Sequence, residues 1–285
     1  MSKRRIALLL AALLLSLSGC AKNAHFEGNP KADILATTQP VYQLACALTD
    51  RTGLTVGLLI SESVLCLHDY TLTVAQMEMI EQAGVVMESG LGLEDFMEDA
   101  LSGKKRIVVS STISTLEAEE GPDPHWWLDP TRFRAAAELA AQELGAQYPE
   151  FADQISENLA AFCEKLSSLQ DYGEQALSDL SCRQLVTFHD GFSYFADAFS
   201  LTIAAAMEVE SGSEPSAKEL EEIISIVEDN QIPAVFTEVN GETGAAEVVA
   251  GEAGCAVRTL DMAISNRDYF AAMRQNIDIV KEALG

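Results

Sequence analysis

Four histidines occur in 285 residues, and three of them stand in settings suited to holding a metal ion. His68 lies in Cys66-Leu67-His68-Asp69-Tyr70. His125 lies in Pro122-Asp123-Pro124-His125-Trp126-Trp127-Leu128-Asp129-Pro130, and His189 in Thr187-Phe188-His189-Asp190-Gly191. The separations, 57 and 64 residues, exclude a local finger-type knot. In a chain that alternates strands and helices, however, each ligand can sit at the carboxyl end of a different strand and meet the others in one crevice. A lone histidine of this kind would be read as a satisfied surface or core imidazole. Three that all fall at strand ends or turns, each with an Asp one or two residues away and none on a helix face, favour a shared site. Trp126 and Trp127, the only tryptophans, follow His125 directly; they are core anchors, or a wall that keeps water from the site.

The elements that must position these residues follow from periodicity. Short β-branched or apolar runs predict strands at 34–38, 55–60, 85–88 and 106–111, with helices at 40–50, 73–83 and 93–101 between them. The pattern returns with strands at 184–187, 202–207, 234–237 and 256–259, and with helices at 191–199, 217–230, 243–253 and 267–284. Alternation of this sort gives parallel sheets covered on both faces. Asp190 is placed to cap the helix after His189, and Asp129 followed by Pro130 reads as another helix start. From Glu150 to Leu180 the apolar positions Phe151, Ile155, Leu159, Phe162, Leu166, Leu169 and Leu177 recur mostly every three or four residues, with a single glycine, Gly173, and no proline. One helix of about 30 residues, about 45 Å long, would join two lobes as a rigid strut. The expected fold is therefore α/β: an N-terminal lobe over 31–149, a linker helix over 150–180 and a C-terminal lobe over 181–285.

The first nineteen residues read as an export signal. Lys3, Arg4 and Arg5 precede an apolar run of 12 residues, Ile6 to Leu17, too short for the about 20 that span a bilayer. Residues 20–30 then form a polar tether. Lys and Arg total 18 against 44 Asp and Glu, a formal charge of −26 that would repel phosphate backbones and excludes nucleic acid as a partner. Such acidity is chiefly a solubility device, although it also gathers cations. Beyond Cys20, the cysteines at 46, 66, 163, 182 and 255 are odd in number and match no zinc ribbon or CxxC spacing. They allow up to two disulfides in an exported chain, or stand as buried single thiols.

Several motifs carry a resemblance. Leu17-Ser18-Gly19-Cys20 resembles a lipobox, in which the Cys becomes the lipidated first residue of the mature chain. Together with His68-Asp69-Tyr70, Glu88-Ser89-Gly90-Leu91-Gly92-Leu93-Glu94, the Asp123 to Pro130 motif and Phe188 to Phe195, it is similar to the zinc/manganese solute-binding lipoproteins of ABC importers. The resemblance runs from about Ile34 to the C-terminus. It implies two α/β lobes joined by a long rigid helix, a divalent metal in the cleft between them, and delivery to a permease in the cytoplasmic membrane without chemistry on the metal. It places the ligands on His68, His125, His189 and, in Arg258-Thr259-Leu260-Asp261, on the carboxylate of Asp261. Relatives often continue Leu-Asp-Pro, where this chain has Met262, so Asp261 is alternatively a turn or helix cap and Glu238 is the substitute carboxylate. Asp69, Asp190, Glu62 and Glu238 are further candidates to fix the imidazole tautomers from behind. The His-rich loop that zinc-specific relatives frequently carry is missing: 112–123 contributes Glu117, Glu119, Glu120 and Asp123 but no His.

Three imidazoles and one carboxylate suit Zn2+, with Mn2+, which prefers more oxygen, as the alternative. Affinity is expected to fall as pH drops through about 6.5, where free imidazole protonates. The expected protein is a monomeric receptor held by lipidated Cys20 to the outer face of the cell membrane. Among rival classes, a secreted zinc enzyme lacks HExxH, G-x-S-x-G or a spare general base. A receptor for an organic solute would rest on the two tryptophans, and an adhesion lipoprotein has no positive feature in the sequence. No enzymatic activity is expected.

Overall fold

Short strands open the fold: β1 (Ile34–Ala36) pairs in parallel with β2 (Val56–Leu58) on one side and β3 (Val85–Glu88) on the other, and β4 (Arg106–Val108) adds to β3. The order β2-β1-β3-β4 makes one sheet. A second parallel sheet, β10-β9-β7-β8, is built from β7 (Gln184–Thr187), β8 (Thr202–Ala206), β9 (Ala234–Glu238) and β10 (Ala256–Leu260). The computed structural model describes residues 31–61, 70–118, 121–207, 215–239 and 241–285. The export signal, the tether with Cys20, and the stretch carrying Glu62, Cys66, His68 and Asp69 lie outside them. No helix among the described residues is long and apolar enough to cross a membrane.

Helices cover the first sheet. α1 (Gln39–Leu48) takes Pro40 in its first turn, where no amide bond is lost, and buries Val41, Leu44, Ala45 and Leu48 at helical spacing. α2 (Val74–Gln82) starts at a capping box in which Thr73 and Gln76 exchange hydrogen bonds. α3 (Glu98–Leu101) is a single turn before β4. A short antiparallel ladder, β5 (Glu117–Ala118) with β6 (Gly121–Pro122), stands in the acidic stretch before His125. Asp129 does cap a helix: its Oδ1 accepts from the amides of Thr131 and Arg132 at the start of α4 (Pro130–Gln147).

The strut is shorter than expected. A 3-10 turn at Pro149–Phe151 precedes α5 (Ala152–Ala176), 25 residues or about 37 Å, rather than one helix over 150–180. Nor does it stand free between lobes, because it packs along α4, α1 and the C-terminal helix. Gly173 is explained by that packing: a Cβ there would come 2.2 Å from Cε1 of Phe199. The second sheet carries α6 (Ser193–Ala198), α7 (Ala217–Asp229), α8 (Gly244–Ala253) and α9 (Tyr269–Leu284). α6 has Phe192 at its N-cap, and that side chain makes no capping bond.

Alternation along the strands sorts side chains into layers. Ile34 and Ala36, Val85 and Met87, Leu185, Ala234 and Phe236 all enter one large core. The intervening Leu35 and Val86 face a small cluster on the outside of the first sheet, and Val186 and Val235 one on the outside of the second. The two sheets therefore share a continuous core. Trp126, Trp127, Phe133, Phe162 and Tyr269 fill its middle in edge-to-face contacts. Residues 31–285 form a single compact unit.

Candidate metal centre

Three of the described site residues come from the second parallel sheet. His189 follows β7, Glu238 ends β9 and Asp261 follows β10, all at carboxyl ends of neighbouring strands in the order β10-β9-β7. His125 stands at the N-cap of a 3-10 turn (Trp126–Leu128) after the β5-β6 ladder. This is the crevice position expected for ligands in open α/β sheets.

Two of the expected ligands meet there. Nε2 of His125 and Nε2 of His189 lie 3.5 Å apart, with the rings edge to face at 5.2 Å between centroids. Two imidazoles bound to one tetrahedral zinc at about 2.0 to 2.1 Å would put their nitrogens about 3.3 Å apart, so the observed separation fits a shared ion. Gly191 leaves room for the arrangement, since a Cβ would come 2.7 Å from Cδ2 of His189 and 2.5 Å from Cε of Met262. Burial pushes the His189 imidazole down to about 4, with the neighbouring His125 adding to the effect and Asp123 opposing it. His189 is therefore a neutral, ligand-ready ring at pH 7.

Each ring has a carboxylate on its far nitrogen. Asp123 Oδ1 accepts from Nδ1 of His125 at 2.8 Å and from the backbone amide of the same residue at 2.9 Å. Glu238 Oε1 lies 3.8 Å from Nδ1 of His189. Burial raises the Glu238 carboxyl to about 7, and its Oε2 has no hydrogen-bond partner among the described residues. With His189 neutral, this contact is not an ion pair at pH 7.

Asp261, by contrast, is engaged in its own turn. Its Oδ1 accepts from the amide of Ala263 at 2.8 Å, its Oδ2 lies 3.8 Å from Nη1 of Arg267, and its backbone is clasped by the side-chain amide of Asn276. The turn-capping role weighed for it is what its contacts display, and it makes no hydrogen bond or ion pair with either imidazole among the described residues. Glu238 occupies the strand between His189 and Asp261. His68, Asp69 and Glu62 lie outside the described residues, and among those described no group of three or more His, Cys, Asp or Glu side chains is assembled for a metal.

The tryptophans serve mainly as anchors. Both are buried: Trp126 Nε1 donates to the carbonyl of Ser89, and Trp127 Nε1 to that of Met262. Trp127 also packs edge to face on His125, with centroids 5.5 Å apart, and so walls one side of that ring. Cys46, Cys163, Cys182 and Cys255 are free thiols; no disulfide joins any of them. Asp123, two positions ahead of His125 in the sequence, is the carboxylate that meets its ring.

The match to known proteins agrees with this arrangement. The family model described as "ZnuA: Zinc-uptake complex component A periplasmic" covers residues 34–283. The zinc-binding lipoprotein AdcA of Streptococcus pneumoniae is 28% identical over 308 residues, covering 98% of this chain and 61% of AdcA. The chain spans about three fifths of the length of the curated AdcA relatives it matches. A crystal structure of ZnuA superposes with a TM-score of 0.81 at 30% identity, covering 89% of this chain and 99% of that one. The Zn(II)-bound ZnuA-like domain of Streptococcus pneumoniae AdcA gives 0.77 at 27% identity, covering 90% and 99%. A family match over almost the whole described body, on a fold of two parallel sheets, leads to one conclusion: the chain belongs to the ZnuA family.

Proposed function

We propose that this chain is an extracytoplasmic receptor that captures a divalent transition metal, zinc in preference to manganese, and delivers it to an ABC permease without chemical change. The single observation that carries the reading is the 3.5 Å approach of Nε2 of His125 to Nε2 of His189, a spacing that suits one bound ion. His68 completes the imidazole set, as the sequence motif implies. A carboxylate of the C-terminal lobe supplies the fourth donor: Asp261 in the family's position, or Glu238, which stands nearer His189. If Asp261 is the ligand, Glu238 serves His189 from behind, with Asp69, Asp190 and Glu62 as the remaining candidates for that role. Nitrogen-rich donors favour zinc over manganese on the Irving–Williams order. Zinc binding in the names of AdcA and of the solved AdcA domain supports the same choice.

The anchored form rests on the lipobox ending at Cys20, and the receptor is expected to act as a monomer beside its permease in the cytoplasmic membrane. Domain limits of 31–149 and 181–285 on either side of a linker over 150–180 describe the same proposal at the level of the chain. A solute-transport role leaves no reaction for the site to catalyse. The test is metal content and affinity of the body from about residue 31 onward, purified without chelator. One equivalent of zinc, with affinity lowered at least tenfold in each of His68→Ala, His125→Ala and His189→Ala, is the expected result. A body that takes up no transition metal would overturn the proposal.

A further inference from the structure

We infer that Asp123 is a positioning residue that fixes the tautomer and aim of His125, so that Nε2 of that ring faces the incoming ion; the inference rests on the metal-receptor reading above. Asp123 is almost wholly buried, and its Oδ1 accepts both the backbone amide of His125, at 2.9 Å, and Nδ1 of its ring, at 2.8 Å. An oxygen already facing one N–H acts as an acceptor, so the ring nitrogen opposite it carries the proton. That leaves Nε2 as the bare lone pair, and this is the atom 3.5 Å from His189. A histidine's tautomer is set by the hydrogen bond its other nitrogen makes, and such partners tune a ligand's basicity.

Asp123 is itself held from two directions. Its amide donates to the carbonyl of Leu116 at 2.8 Å, and the amide of Leu116 donates to the hydroxyl of Tyr194, a fully buried residue of α6 just beyond His189. The aim of His125 is thus tied, through Leu116 and Asp123, to the segment that presents His189. Asp123 Oδ2 is buried with no hydrogen-bond partner among the described residues. It therefore leaves an uncompensated oxygen beside the two rings, where an arriving cation offsets the cost of burying it.

The experiment uses metal-free protein with 15N-labelled histidine at about pH 8, where the tautomer is read directly from the two ring-nitrogen shifts, followed by zinc titration against a competing chelator. In the wild type His125 is expected as the Nδ1–H form. Asp123→Asn, which keeps an acceptor oxygen, should retain that form and bind zinc within a few-fold of wild type. Asp123→Ala should move His125 toward the Nε2–H form and weaken zinc binding about 10- to 100-fold. A wild-type His125 found as the Nε2–H form would overturn the inference whether or not the alanine variant folds, as would unchanged zinc affinity in a folded Asp123→Ala protein. Zinc taken up by neither wild type nor variants would sink the receptor reading instead, and the shifts of the metal-free protein would still decide the role of Asp123.

Discussion

A buried imidazole next to another imidazole holds a proton poorly, and this shapes how the centre answers to pH. With its pKa pushed down to about 4, His189 has no proton to shed at neutral pH, so the loss of affinity expected near pH 6.5 does not come from that ring. A second buried acid acts on the fold itself. Glu94 accepts from the hydroxyl of Thr37 at 2.6 Å and from the amides of Ser89 and Gly90 at 2.7 and 2.8 Å, yet burial outweighs those bonds and raises its carboxyl to about 7. A folded-state pKa above the unfolded one gives stability that is complete below about 4.5 and lost as pH rises through about 7. Replacing Glu94 by Gln should therefore lower stability overall, because an NH2 group then meets an amide donor, while removing about 3 kcal/mol of the decline between pH 5 and pH 8. Urea unfolding of metal-free protein at the two pH values measures this, and an unchanged decline would contradict it. The histidines were legible in the sequence because their strand-end positions and nearby Asp residues are local features. The roles of Glu94 and Asp123 were not, because each depends on bonds to partners whose arrangement only the folded backbone supplies.

At the level of elements, alternation and capping told most of the story. Thr73 with Gln76 and Ser216 with Glu219 form capping boxes at the starts of α2 and α7, and Asp129 with Pro130 opens α4. The body of α4 is hard to read from periodicity because its buried face is mostly alanine, at 136, 137, 140 and 141, which gives little hydrophobic contrast but allows α5 to lie close. The end of α5 was overestimated for the converse reason: Leu177 continues the apolar rhythm into the core although the helix has already stopped at Ala176. Gly90, Leu91 and Gly92 all take positive φ, and a Cβ on Gly90 would meet Oγ of Ser110 at 2.2 Å, so the Gly-Leu-Gly turn is obligatory. Gly173 gives the sharper test. Helix propensity alone says that Gly173→Ala should stabilise α5 by about 1 kcal/mol. The Phe199 ring in the space a Cβ needs says the opposite, and overpacking of this kind costs about 1 to 3 kcal/mol. A lower melting temperature in Gly173→Ala is expected; a higher one would mean that the ring moves aside freely.

Across the whole molecule, the two sheets are pinned together close to the candidate metal centre. Trp127 Nε1 donates to the carbonyl of Met262, the hydroxyl of Tyr269 donates to the carbonyl of Trp127, and the amide of Tyr269 donates to Oε1 of Gln43, each at 2.8 Å. On the other flank Arg132 of α4 pairs with Asp197 of α6 at 2.7 Å and lies over the ring of Tyr194. With a shared core and α5 packed along its length, a hinge between lobes would have to break buried contacts, so release is expected to proceed by local movement of a cleft wall. Small-angle scattering should give the same radius of gyration with and without zinc, and a clear contraction on loading would contradict this. The central claim is that imidazoles from distant parts of the chain converge on one ion. X-ray absorption at the zinc edge of the loaded protein tests it most directly. Nitrogen and oxygen neighbours at about 2.0 to 2.1 Å, with the multiple-scattering signature of three imidazole rings, are the expected result. Sulfur neighbours at about 2.3 Å, or a spectrum with one ring or none, would contradict it.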